Sequence, residues 1–180
     1  MASAAGGVPR CKLLSQFFGV LLVAQSLSPA WADDVLDVAK ARMSGVYALA
    51  EWYKDGTRFT PPQVDGRFIL LNGTIMTILY NRMQPPGQVS SVLVGRYELS
   101  ANRFAYAYDE VSVVTESADG TSVSHKPFWD GLRGFTVGVE GDLVRLREEN
   151  GTREFVFGNE ELNYFEKGAL LRKWRRTADK

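Results

Sequence analysis

The sequence predicts an all-β fold, an antiparallel up-and-down β-barrel of about eight to ten strands preceded by a short helix. Three observations carry this expectation. Short runs of alternating apolar and polar residues recur along most of the chain. Turn residues separate them every ten positions or so, and no helices alternate with them. Composition agrees, since 12% aromatic residues and 17 glycines among 180 suit strands and tight turns. A hydrophobic fraction of 45% with 23% charged residues describes a globular chain rather than a disordered one.

Charge and cysteine content remove several functional classes. With 21 basic and 21 acidic residues, no overall field points to nucleic acid or an anionic membrane. One Cys excludes an intramolecular disulfide, and one His excludes a site built from several histidines. No motif for a metal or other cofactor is present, so none is expected.

Residues 1–32 read as a cleaved secretory signal. Arg10 and Lys12 precede an apolar stretch from Leu13 to Leu27, and Ala30-Trp31-Ala32 forms a small-x-small cleavage site. The stretch is shorter than the roughly 20 apolar residues a spanning helix needs and is broken by Ser15 and Gln16, so no transmembrane anchor is expected after cleavage. Removal takes Cys11 and two basic residues, leaving 21 acidic against 19 basic groups. Such a secreted or periplasmic domain depends on its buried core for stability.

The remaining elements follow in order. Residues 33–44 form the helix, with Asp33 and Asp34 near its start, a stripe of Val35, Leu36, Val38, Ala39 and Met43, and Gly45 beyond it. Strands are expected over Gly45–Tyr53, Arg67–Leu71 and Ile75–Arg82, the last two joined by the hairpin signal Asn72-Gly73. Thr60–Asp65, with Pro61-Pro62, reads as a loop. Val92–Leu99 pairs with Arg103–Tyr108, which can run on to Glu116. Ser122–Lys126, Phe135–Val139, Leu143–Arg147 and Arg153–Phe157 follow. Leu162–Glu166 and Ala169–Arg176 read as a hairpin around Lys167-Gly168 or as a helix interrupted there. The barrel therefore spans residues 45–176, with a tail at 177–180.

Period-two alternation sorts side chains between the two faces of each strand. Inward rows are expected from Tyr47 and Leu49, Phe68 and Leu70, Met76, Ile78 and Tyr80, Gly95, Tyr97 and Leu99, Phe104, Tyr106 and Tyr108, and Phe155 and Phe157. Such rows make either a filled core or the lining of a cavity. Tyrosines would give an apolar pocket a few polar handles, here Tyr80, Tyr97, Tyr106 and Tyr108. Candidate ligand-binding residues are Tyr47, Phe68, Leu70, Met76, Tyr80, Tyr97, Phe104, Tyr106, Tyr108, Phe135 and Trp129, the last on a loop near the mouth.

Gly45-Val46-Tyr47 after a short helix, the segments Ser44–Gly56 and Gly66–Tyr80, and Gly95-Arg96-Tyr97-Glu98 resemble bacterial lipocalin-like domain proteins and, more distantly, lipocalins. Tyr47 stands where lipocalins carry the Trp of Gly-x-Trp, and Arg172 or Arg175 where they carry a basic residue packed on that ring. The resemblance implies an eight-stranded barrel, closed at one end and open at the other, that binds small hydrophobic molecules.

Catalytic signals are sparse. No nucleophile elbow, zinc-protease helix or phosphate-binding loop occurs. His125 stands alone on a strand, and Asp109 and Glu110, being adjacent, are expected on opposite faces. A bulge would turn Asp109 inward as a charge needing a partner. Arg172, Lys173, Arg175 and Arg176 read as a solvated last strand or a contact for an anionic surface. Asn72-Gly73-Thr74 and Asn150-Gly151-Thr152 match the glycosylation sequon but are explained by turn chemistry. The expected function is binding of a small hydrophobic or amphipathic molecule without chemistry. The alternatives are an isomerase- or cyclase-type barrel enzyme using His125 or Asp109, or a filled barrel acting as a protein-interaction module.

Overall fold

The computed structural model describes residues 29–83, 87–126 and 132–177. All but the last four residues of the expected signal lie outside them, as does Trp129. Helix α1 (Pro29–Met43) is followed by β1 (Gly45–Lys54), β2 (Thr57–Phe59), β3 (Val64–Leu71), β4 (Thr74–Asn81), β5 (Gln88–Leu99) and β6 (Arg103–Ser117). Then come β7 (Gly120–Lys126), β8 (Arg133–Glu140), β9 (Leu143–Glu148), β10 (Arg153–Phe157), β11 (Glu161–Glu166) and β12 (Ala169–Arg176).

Every pairing is antiparallel, and ten of the strands form a closed ring in which β12 returns to β1. Closure leaves no free edge within the ring, and each successive pair is a hairpin except where β2 and β7 intervene. The short β2 folds back on β1, an element absent from the sequence expectation. Strand β7 continues the hairpin series on the far part of β6, while β8 pairs with the beginning of the same strand. The ring is compatible with a calycin-like barrel, though with ten strands rather than eight. Residues 162–176 are a hairpin, not a helix.

Turn chemistry sets the registers. Asn72 and Gly73 both take positive φ, 49° and 79°, as a two-residue hairpin turn of matching twist requires. That turn places Leu71 opposite Thr74, Leu70 opposite Ile75 and Phe68 opposite Thr77. The prolines stay in the loop before β3, which begins at Val64, three residues earlier than expected.

Helix α1 also begins early, at Pro29, which suits a first helical position because its missing N–H needs no partner. Asp33 and Asp34 therefore sit beyond the first turn, while Lys40 and Arg42 occupy the last one, where cations favour the helix dipole. Ala39 and Met43, four residues apart, are buried, and the helix packs against β8 and β9. The helix covers one end of the barrel. Among the described residues, no helix is long and apolar enough to cross a membrane.

The core is aromatic and lies towards that covered end. Tyr47, Phe104, Phe135 and Phe157 have at most 1% of their surface exposed. Ring centroids of Tyr47 and Phe157 are 6.0 Å apart, Phe104 and Phe135 6.0 Å, and Phe135 and Phe155 5.5 Å. Tilted and edge-on contacts of this kind add to the area term. Fully burying each ring stabilises the fold by roughly 1.5–3 kcal/mol.

Arg176 fastens the helix to the ring. Its guanidinium lies 4.9 Å from the Tyr47 ring centroid and donates to the Ser44 carbonyl at 2.5 Å, the Arg42 carbonyl and the Tyr47 hydroxyl at 2.6 Å. The Tyr47 hydroxyl in turn donates towards the carbonyls of Arg42 and Met43, 3.0 and 3.1 Å away. The end-closing basic residue is thus Arg176, whereas the sequence comparison favoured Arg172 or Arg175. Arg175 is exposed on the outer face, and Arg172 faces inward two positions before Trp174.

Candidate functional site

The half of the barrel away from α1 is hollow. A cavity of about 370 Å³ lies between β3, β4, β5, β6, β8, β10, β11 and β12. Of the candidate residues, Phe68, Tyr106 and Tyr108 line it. Tyr47, Leu70, Phe104 and Phe135 belong instead to the packed half, and Tyr97 lines a separate recess beside Met43 and Asn72.

Strand β4 corrects the expected inward row. Ile75, Thr77 and Leu79 are buried, while Tyr80 is 38% exposed and Met76 and Ile78 share its outer face. Apolar side chains occupy both faces of this strand, so composition could not choose between them. The hairpin register could, because residues directly opposite across a ladder share a face. Phe68 and Leu70 inward therefore require Thr77 and Ile75 inward.

A second correction concerns β6. Gly95 pairs with Tyr108 and Val94 with Glu110, so Asp109 is the extra residue of a β-bulge. Phe104, Tyr106 and Tyr108 face inward as expected, but Asp109 and Glu110 are then both exposed, and Val111 and Val113 turn inward. The adjacent carboxylates do not split between faces, and the bulge leaves Asp109 outside. Both oxygens of Asp109 accept from Arg96, each at 2.9 Å, and this pairing holds its carboxyl below the ordinary range. Gly95 makes the bulge possible. A Cβ there would run into the Ala107 carbonyl oxygen and sit 2.6 Å from Tyr108 Cα.

His125 is exposed on β7 and shares a hydrogen bond with Ser112 Oγ at 3.0 Å. Neither His125 nor Asp109 lines the cavity, so neither is placed to move a proton for a molecule held there.

The cavity wall combines apolar surface with a small set of polar groups. Leu79, Leu93, Val111, Val113, Phe155 and Trp174 supply much of the apolar part. Tyr108 Oη and Thr77 Oγ1 are 2.6 Å apart, and burial pushes the Tyr108 phenol well above its usual pKa. Burial likewise pushes Tyr106 up to about 12, partly opposed by Arg133 beside it. Both phenols are neutral donors and acceptors at physiological pH.

Besides Arg176, three arginines among the described residues reach the interior, a feature the aromatic rows did not reveal. Arg153 is balanced: it donates to both oxygens of the buried Glu148 at 3.1 Å and contacts Glu166 at 3.4 Å. Arg133 and Arg172 line the cavity itself, together with Tyr164. The guanidinium of Arg172 lies 4.2 Å from the Trp52 ring centroid and 5.7 Å from that of Tyr164. Loss of hydration on burial draws its pKa down. A bulge at Ala50 brings Trp52 to this face, since Leu49 pairs with Trp174 but Trp52 with Arg172. The basic run of the last strand is thus divided, with Arg172 and Arg176 inward and Lys173 and Arg175 outward. Its alternation was the signal available in the sequence.

No family model matches the chain, and no curated protein or solved structure matches it.

Proposed function

We propose that the protein is a secreted or periplasmic lipocalin-like carrier that binds a small hydrophobic or amphipathic molecule inside its barrel without transforming it. The hollow of about 370 Å³ beyond the aromatic plug carries this reading. Its size falls in the range of about 300–1,000 Å³ typical of small-molecule pockets, and its largely apolar wall with a few polar groups is their usual chemistry. Covering apolar ligand surface there would contribute roughly 25 cal/mol per Å² before the costs of association. The leader-like segment Arg10–Ala32 supports export. The packed half gives the cavity a rigid floor.

Native mass spectrometry of protein purified from its own host tests the proposal. The expected result is a mass excess over the mature chain that denaturation releases as a small apolar or amphipathic compound. Protein that arrives empty and takes up no apolar probe would overturn it.

A further inference from the structure

The unbalanced arginine in the cavity restricts what the carrier can hold. Arg172 has five N–H donors, and its Nε has neither accessible surface nor a hydrogen-bond partner. Among the described residues no carboxylate lies within 4.0 Å of its guanidinium. The nearest acidic influence, Glu166, is engaged with Arg153. Stacking on Trp52 offsets part of the desolvation but satisfies no N–H.

The contrast with Arg153 is informative. Within one barrel interior, that arginine is given two carboxylates, while Arg172, on the cavity wall, is given none. Arg133 brings a second positive charge to the same wall, and among the described residues no Asp or Glu lines it. Tyr106 and Tyr108 line the same wall, and Tyr108 is within electrostatic reach of both cations. A buried guanidinium is costly unless paired and hydrogen-bonded. The described residues offer Arg172 no such partner, which points to one from outside the chain.

Building on the carrier reading, we propose that the ligand is a single-chain amphipath with one anionic head, such as a fatty carboxylate. Its head pairs with Arg172, with Arg133 and the tyrosine hydroxyls as further donors, and its tail lies along Phe68, Leu79, Leu93 and Trp174. A two-oxygen anion fits the fork of a guanidinium, and the pair is desolvated where it forms.

Calorimetric titration with dodecanoate, dodecanol and dodecylamine separates the head from the tail. Dodecanoate is expected to bind about ten- to a hundredfold more tightly than dodecanol, the value of a charge-assisted hydrogen bond set. Arg172→Met should bring that ratio to within about threefold, chiefly through loss of dodecanoate affinity, and Arg172→Lys should restore part of it. Thermal melting establishes that the variants are folded. The wild-type ratio and its retention in Arg133→Met, reduced but not abolished, provide a reading that does not depend on the Arg172 variants. Equal affinity of dodecanoate and dodecanol, tighter binding of dodecylamine, or an intact ratio in folded Arg172→Met would overturn the anionic head while leaving the carrier in place. Binding of none of the three probes would overturn both.

Discussion

Replacing Arg176 by Met leaves the aliphatic stem on Tyr47 and removes the guanidinium. Four acceptors then lose a donor: the carbonyls of Ser44, Arg42 and Asn159 and the Tyr47 hydroxyl. A hydrogen bond to a charged group contributes about 1.5–3 kcal/mol, and a half-exposed arginine recovers part of that from water. Cation–π contact adds about 0.5–1 kcal/mol, and a cation near the last turn of α1 about 0.3–1 kcal/mol. Allowing for carbonyls that turn to solvent, the expected loss is about 3 kcal/mol, or a melting temperature lower by roughly 6–12 °C for a chain of this size. Urea unfolding with an unchanged slope should show it. In a double-mutant cycle with Tyr47→Phe, the two residues should couple by about 1 kcal/mol because they share a hydrogen bond. A loss below about 1 kcal/mol, with both slopes unchanged, would mean that the helix end is held by apolar packing of Ala39 and Met43 and not by the guanidinium.

Further outcomes follow from other parts of the barrel. Gly95→Ala should destabilise by about 1–3 kcal/mol, measured by the same unfolding curves, because the methyl meets β6 backbone rather than a movable side chain. Phe135→Ala, at a fully buried site, should cost about 3–5 kcal/mol. Asp109→Asn breaks only an exposed pair and should leave the urea midpoint unchanged within error. Stability should fall as pH rises from about 10 towards 12. Tyr47 and Tyr106 are pushed up to about 12 by burial, so the unfolded chain gives up protons near pH 10 that the folded chain keeps, at about 1.4 kcal/mol per tyrosine per pH unit. Urea midpoints through that range check the sign, and a flat profile would show the phenols to be titrating freely in the fold.

Fold class, strand sequence and most hairpins were legible because turn chemistry is local. Asn72-Gly73 and Lys167-Gly168 take left-handed conformations and pin their ladders. The site was less legible because a face depends on every irregularity before it. One extra residue at Asp109 reverses the parity of β6, and another at Ala50 does so for β1. Phe68, Tyr106 and Tyr108 precede or escape these shifts, and the structure brings them together. Val111, Val113 and Trp52 were concealed by them. Thr77 and Leu79 were recoverable by carrying Phe68 across the Asn72-Gly73 register, whereas Arg172 read as part of a solvated basic run or as the residue packed on Tyr47, and Arg133 fell outside the expected strand Phe135–Val139. Closure to ten strands depends on the pairing of β12 with β1, more than a hundred residues apart, which no local pattern encodes.

The bulge opposite Gly95 separates two duties along one continuous strand. Before it, β6 supplies rings, Phe104 to the packed floor and Tyr106 and Tyr108 to the chamber; after it, the same strand supplies small valines to the chamber wall. Exchanging Ser91 or the partly buried Val113 for other groups would reshape the chamber while leaving the packed rings in place. The architecture thereby lets the chamber wall vary while the foundation stays as it is.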